Sequence, residues 1–119
     1  MVIWKWNDVE LDIDMGDADF QKKYEEAFKK AEEEEKKVVS MQSTENLYEF
    51  TVKYCNIYYN LFDNIYGAGT AEKIFKGKRN CTLAEEVYVS WLNQCKKDID
   101  EINKRRVSMF GKFNVKAKR

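Results

Sequence analysis

Residue types on which many enzymes rely are missing or scarce in this sequence. It has no histidine, the commonest general base and metal ligand at neutral pH. Its cysteines, Cys55, Cys81 and Cys95, are odd in number and lack the close pairing of a zinc site. We therefore expect free thiols in the reducing environment of the cytoplasm. We expect no catalytic residue, no metal site, no cofactor and no enzymatic activity.

The chain also lacks a long apolar run. No stretch approaches the roughly 18 consecutive apolar residues of a membrane span, so we expect no membrane contact. The first residues show no basic segment followed by an apolar one, and we expect no signal peptide. With 119 residues, 44% apolar and 35% charged, the chain suits a single globular domain, residues 1–119.

Net charge is zero as well, but the charges are unevenly distributed. Residues 1–50 carry 14 acidic and 7 basic side chains, whereas residues 103–119 carry 7 basic and no acidic ones. The basic end is either a solvated tail or a contact for nucleic acid or an acidic partner. The acidic first half and the lack of a recognisable recognition helix make nucleic acid the less favoured partner. The candidate nucleic-acid-binding residues are Lys104, Arg105, Arg106, Lys112, Lys116, Lys118 and Arg119.

The strongest pattern is a wide apolar stripe between Leu47 and Tyr66. Apolar or aromatic residues recur there at helical spacing, and further ones extend to the sides. The pattern predicts a central helix over 44–66 that ends at Gly67-Ala68-Gly69. A short helix over 71–76, capped by Thr70, should follow. The glycines lack the spacing of a phosphate-binding loop, so we interpret them as a joint between helices.

The other segments predict a β-hairpin and two more helices. Residues 2–14 alternate with period two around an Asn7-Asp8 turn, which puts both tryptophans on one apolar face. A charged helix is expected over 17–39, where the run KKAEEEEKK is either a solvated face or an acidic docking surface. A last helix over 83–107 should start at a capping box of Thr82 and Glu85. Gly111 should break it and leave a basic tail over 110–119.

Together these elements describe a mainly α fold. It is a small helical bundle of three long helices and one short helix, with an N-terminal two-stranded β-hairpin. The aromatic content, 14% of residues, exceeds what one small core obviously needs, although core packing accounts for most of it. Tyrosine and tryptophan are also favoured at protein interfaces. The candidate protein-binding residues are Trp4, Trp6, Tyr48, Tyr59, Tyr66 and Phe75.

Residues 60–78, NLFDNIYGAGTAEKIFKGK, resemble a motif of small tail-morphogenesis proteins of tailed phages and prophages of Gram-positive bacteria. In those proteins an aromatic-rich helix reaches a Phe-Gly-x-Gly-Thr turn and then a short Glu-Lys-Ile-Phe-Gly helix. Here Tyr66 replaces the phenylalanine of the turn, and Lys76 precedes the last glycine. The opening hairpin with its ELDID strand, followed by a charged helix, is also similar.

The resemblance implies a non-enzymatic protein of the tail-assembly-chaperone kind, acting in the host cell cytoplasm. Such proteins keep the helical tape-measure protein soluble and bring tail-tube subunits to it, so both are expected partners. Two alternatives remain open. One is a small nucleic-acid-binding or regulatory protein that acts through its basic C-terminus. The other is an oligomeric phage structural subunit, with hairpins or helices that self-associate.

Overall fold

The computed structural model describes residues 1–41 and 46–117, with side chains described as far as residue 113. The described residues form a mainly α fold with an N-terminal two-stranded antiparallel hairpin, as predicted. The elements are β1 (Val2–Trp6), β2 (Val9–Ile13), α1 (Ala18–Val39), α2 (Leu47–Tyr66), α3 (Thr70–Phe75) and α4 (Cys81–Ala117).

The hairpin has the predicted register. Trp4 pairs with Leu11 and Trp6 with Val9, and Asn7 takes the positive φ of 53° that the tight turn requires. The apolar face packs on the helices, where Trp4 is buried and its indole Nε1 donates a hydrogen bond of 3.0 Å to Ser90 Oγ. A two-stranded hairpin is marginal alone, so these contacts with the helices stabilise it.

Helix α1 begins after Asp17, whose carboxylate accepts a hydrogen bond of 3.0 Å from the Phe20 amide. It runs antiparallel along α2, with Phe20 beside Tyr66 at one end. Helix α4 lies antiparallel to α1 and parallel to α2. The three long helices therefore share one core.

The double-glycine bend ends α2 at Tyr66, as predicted, and acts as a joint between helices. Gly67 and Gly69 have φ values of 109° and 91°, a region that favours glycine. Asp63 connects the two helices, because its backbone oxygen accepts from Gly67 N and its carboxylate accepts from Ala71 N at 2.9 Å. The predicted cap at Thr70 is therefore wrong: Thr70 is the first residue of α3, and the Asp63 side chain caps that helix.

Both boundaries of α4 differ from the prediction. Helix α4 starts at Cys81, because the Asn80 side chain caps it by accepting 3.0 Å from Leu83 N; Thr82 lies inside the helix. It continues through Gly111 to Ala117, so the predicted end at 107 and the non-helical tail from 110 are wrong. One glycine within a helix costs only about 1 kcal/mol relative to alanine, which is too little to end it. The predicted first turn of α2, residues 44 and 45, lies outside the described residues.

The shape follows from the length of α4. At about 1.5 Å per residue its 37 residues span about 55 Å, and the protein measures 71 × 32 × 21 Å. Ile102 is the last residue of α4 that packs against the core. Within the part of the chain that the structure describes, no helix is apolar over enough of its length to cross a membrane.

Candidate functional site

A groove opens between the second half of α1, the part of α2 from Phe50 to Leu61 and the first turns of α4. It has a volume of about 550 Å³, within the range of ligand and peptide sites. We call it the open groove. Its lining residues are Phe28, Ala31, Glu32, Glu35, Val38, Val39, Phe50, Tyr54, Ile57, Tyr58, Leu61, Cys81, Glu85 and Tyr88.

The groove exists because α4 begins late and Ala31 is small. Helix α2 presents its apolar stripe along its whole length, but α4 reaches it only from Cys81 onward. Ala31 adds only a single methyl group to the lining from α1, and the aromatic rings of Phe50 and Tyr54 remain partly exposed. An apolar surface of this kind, open to solvent, is typical of a binding site.

A hydrogen-bonded pair of tyrosines forms one wall. The Tyr54 hydroxyl donates 2.6 Å to the Glu85 carboxylate and lies 2.7 Å from the Tyr58 hydroxyl. Burial, and then the bond to Glu85, raise the pKa of Tyr54, and burial raises the pKa of Tyr58. Both hydroxyls therefore stay protonated at neutral pH. They form a polar edge beside apolar rings.

Carboxylates give the groove its charge. Glu32, Glu35 and Glu85 belong to the lining, which includes no lysine or arginine. All three are exposed, so they remain hydrated and act mainly by attracting a basic partner. The groove is thus apolar at its base and acidic at its rim.

The Cys55 thiol, beside Cys81, is not in a reactive state. Cys55 is fully buried, and burial, followed by the neighbouring Cys81, raises the pKa of its thiol to about 11. A thiol in that state is protonated at neutral pH and is a poor nucleophile. Throughout residues 1–41 and 46–113, no three histidine, cysteine or carboxylate side chains group as metal ligands.

Three of the six predicted protein-binding residues lie in the core. Trp4 and Phe75 are at most 2% exposed, and the Phe75 ring stacks on Tyr59 with ring centroids 4.9 Å apart. Tyr59 is buried; its hydroxyl donates to Lys78 O, and Arg79 covers its ring at 3.7 Å. Tyr59 holds residues 76–80, the Gly77 loop, onto α2, and Phe75 packs α3 against Tyr59. Trp4 packs the hairpin onto the helices, and none of the three presents a surface to a partner.

The other three predicted residues differ in exposure. Tyr66 accepts a hydrogen bond from Trp91 Nε1 and donates one to Asp12 O, which fixes the hairpin to α2. Trp6 is half-buried and stacks on Trp4. Tyr48 alone of the six is strongly exposed, at 84%, on the first turn of α2. The structure therefore does not bring the six residues together into one surface.

The predicted basic residues lie beyond the core on α4. We call residues 103–117 the α4 extension. Lys104, Arg105, Arg106 and Lys112 are exposed on it, beside four exposed apolar side chains, Val107, Met109, Phe110 and Phe113. The side chain of Lys116 and the residues Lys118 and Arg119 lie outside the described part of the chain.

Sequence reasoning missed the groove itself. Tyr54, Tyr58 and Phe50 follow the same helical spacing as the buried residues of α2, so periodicity assigned them to the core. The signal that was available is in α1, where Ala31 lies on the inward face directly before four glutamates. A small residue opposite large aromatic ones indicates space, and the glutamates beside it indicate the sign of its charge.

Comparison with known protein families gives a match to a family of unknown function, DUF6673. The match covers residues 7–119, which include all of the helices and the turn and second strand of the hairpin. No curated protein and no solved structure matches the chain.

Proposed function

We propose that this chain, which belongs to the DUF6673 family, is a non-enzymatic protein whose open groove binds an apolar helix of another protein. The observation that carries the proposal is the groove itself: about 550 Å³, lined mainly by aromatic and aliphatic side chains and open to solvent. Binding of an amphipathic helix in an apolar groove is a common mode of peptide recognition.

The polar groups of the groove favour binding over catalysis. The hydroxyls of Tyr54 and Tyr58 are bonded to each other, and Tyr54 is also bonded to Glu85. Their raised pKa values keep them protonated at neutral pH. Such groups orient a ligand through hydrogen bonds and do not take up a proton or attack a bond.

The partner follows from the resemblance of residues 60–78 to tail-morphogenesis proteins. We propose that the bound helix belongs to a tape-measure protein, which this chain would hold soluble in the host cytoplasm until tail-tube subunits arrive. Its apolar face would cover Phe50 and Ile57, and its basic residues would meet Glu32 and Glu35. Binding of this kind is reversible, because the helix leaves the groove as the tail assembles.

A peptide titration tests this function. Overlapping helical peptides from the tape-measure protein of the same phage or prophage are titrated against the full chain by fluorescence anisotropy. We expect at least one to bind with a dissociation constant below about 50 µM. Failure of every peptide to bind at that concentration would contradict the proposal.

Two matched variants locate the binding. Val39 lines the groove and is 59% exposed, whereas Val89 is 52% exposed on α4 and does not line it. A buried charge opposes an apolar contact, so Val39→Asp should weaken peptide binding by at least about tenfold. Val89→Asp should leave it within about twofold. Equal effects of the two substitutions would place the peptide elsewhere.

The α4 extension supports a second candidate function. It projects from the bundle with four exposed basic side chains, and residues 103–119 contain no acidic residue. A helix of this kind can bind nucleic acid through phosphate contacts. A DNA or RNA mobility shift that weakens with salt and disappears on deleting residues 104–119 would support it. No shift at low salt would eliminate it.

A further inference from the structure

Two exposed apolar surfaces lie at opposite ends of α4. Its first turns contribute Cys81, Glu85 and Tyr88 to the open groove. Its last turns form the α4 extension, where Phe110 and Phe113 are 60% and 64% exposed. Large apolar side chains concentrated in this way on a projecting helix indicate a surface that another polypeptide covers.

The apolar face of the extension continues the core face of α4. Trp91, Cys95 and Ile102 pack into the bundle, and Met109 and Phe113 follow at steps of seven and four residues. This spacing keeps all of them on one side of the helix. Up to Ile102 that side packs against the other elements of the bundle, but from residue 103 to 113 every side chain is exposed. The face is therefore built for packing and still needs a neighbour.

The two surfaces carry opposite charges. The lining of the groove includes three glutamates and no basic side chain. The extension carries Lys104, Arg105, Arg106 and Lys112, and no acidic residue occurs from 103 to the end of the chain. An apolar helix with basic flanks suits an apolar groove with an acidic rim.

The extension cannot reach the groove of its own chain. Glu85 and Phe110 are 25 residues apart on one continuous helix, which places them about 37 Å apart along its axis. A helix cannot fold back onto its own first turns without breaking. The complementary groove must therefore belong to another copy.

We propose that the α4 extension of one copy docks in the open groove of a second copy, and that two copies do so reciprocally. When two α4 helices lie antiparallel, the end of each is beside the start of the other, so both contacts form at once and a two-fold axis closes the pair. The inference rests on the proposed function, since it names what fills the same groove in the absence of a client. A client helix must then displace the extension to bind.

Sedimentation velocity on the full chain over a concentration series tests the pair. We expect a dimer, and we expect Phe110→Ser/Phe113→Ser to raise its dissociation constant by at least about 100-fold. Both phenylalanines are exposed, so circular dichroism should show an unchanged fold. The matched control is Ile3→Ser/Val89→Ser, which removes two other exposed apolar side chains, each 52% exposed. A strictly monomeric wild type at about 500 µM, or an equal effect of the control, would overturn the proposal.

A charge exchange tests whether the two named surfaces meet. Glu32→Arg/Glu35→Arg places positive charge at the groove and should weaken the dimer, as should Arg105→Glu/Arg106→Glu in the extension. The four substitutions together restore opposite charges and should recover most of the affinity. If the four-fold variant loses as much dimerisation free energy as the two double variants together, the extension does not lie at this groove. A series of oligomers larger than two would overturn the closed pair.

The peptide titration separates this inference from the function on which it rests. In the Phe110→Ser/Phe113→Ser variant the extension of a second copy no longer competes for the groove, so this variant should bind a tape-measure peptide more tightly than the wild type. Peptide binding by a chain that is monomeric at all concentrations would overturn the inference and leave the function standing. Suppose instead that the dimer responds to the charge exchange, but neither the wild type nor the Phe110→Ser/Phe113→Ser variant binds any peptide. That result would overturn the proposed function and leave the dimer standing.

Discussion

The two ends of the helical bundle use similar residues and bury them very differently. At the end near the double-glycine bend, Phe62 and Trp91 are fully buried, because the hairpin and α3 add to the three long helices. At the other end, Phe50 and Tyr54 belong to the same wide apolar stripe of α2 and are only partly buried. Burial of an aromatic ring in this protein depends on how many elements surround α2 at that level. The first end holds fully buried aromatic rings, and the second leaves aromatic surface open to solvent.

Truncating one aromatic side chain at each end should give the largest contrast. Trp91→Ala leaves a cavity among rings that cannot close around it, so we expect it to lower the free energy of unfolding by about 3–5 kcal/mol. Phe50→Ala at the groove should lower it by about 1 kcal/mol, since that ring is only partly buried. Urea unfolding monitored by circular dichroism measures both. Similar losses of unfolding free energy for Trp91→Ala and Phe50→Ala would contradict the view that the two ends bury their aromatic rings differently.

Alkaline pH should destabilise the buried end through the Cys95 thiol. Burial, and then the nearby Asp98 charge, raise the pKa of the Cys95 thiol from 9.0 to about 12. Between these values the unfolded chain loses the proton and the native chain keeps it, so the free energy of unfolding falls as pH rises. The loss from Cys95 alone is on the order of 3–4 kcal/mol across pH 9 to 12. Tyr24, whose pKa is raised to about 12 mainly by burial, adds a smaller loss from pH 10.

Urea unfolding at pH 8, 9.5 and 11 checks this dependence. Cys95→Ala should be less stable than the wild type at pH 8, because it leaves a small cavity. Its stability should then fall less steeply toward pH 11. Parallel curves for the two proteins would show that the thiol does not titrate differently in the folded state.

The bend beside the buried end offers a smaller effect through the backbone. Gly67 has φ 109° and ψ 157°, a conformation that other residues avoid, and no atom lies within 4 Å of the site of an added Cβ. Gly67→Ala should therefore destabilise the protein by about 1–3 kcal/mol through backbone strain alone. Gly111→Ala is the matched change, because Gly111 is helical and equally uncrowded. It should stabilise the helix by about 0.5–1 kcal/mol. Thermal unfolding and helical circular dichroism report both signs.

The smallest effect is expected for the wall of the groove. Tyr54→Phe removes the hydroxyl that bonds to Glu85 and Tyr58, at a cost of about 0.5–1.5 kcal/mol. Tyr48→Phe, on a side chain 84% exposed, should leave stability unchanged. Urea titrations of the two variants compare them directly. A loss for Tyr54→Phe as large as that for Trp91→Ala would mean that the groove is part of the core.

Much of the fold was predictable because local patterns dictate it. The period-two hairpin, its register and the end of α2 at Gly67 each depend on residues close together in the sequence. The end of α4 was not predictable in this way, because a glycine such as Gly111 often marks the end of a helix. A glycine within a helix costs little free energy, however, and the helix that includes Arg105 to Lys112 outweighs that cost. Composition at one position therefore gave the wrong boundary.

The candidate site was much less predictable. Helical spacing shows which side of α2 faces its neighbours, but it does not show where a neighbouring helix begins. Tyr58 and Tyr59 are adjacent in the sequence, yet Tyr58 lines a groove and Tyr59 is packed beneath the Gly77 loop. That difference depends on the start of α4 at Cys81 and on the small side chain of Ala31, both of which act across the bundle. Three of the candidate protein-binding residues, Trp4, Tyr59 and Phe75, proved to be core residues, because their burial also depends on elements distant in the sequence.

Helix α4 is continuous from Cys81 to Ala117, so it connects the groove and the extension rigidly. Each added residue would rotate the far face by about 100° and advance it by about 1.5 Å. Two residues inserted after Ile102 would turn the phenylalanines to the opposite side, whereas seven would nearly preserve their direction and move them outward by about 10 Å. The number of residues in α4 between the groove and the extension therefore fixes the direction in which the phenylalanines point relative to the groove.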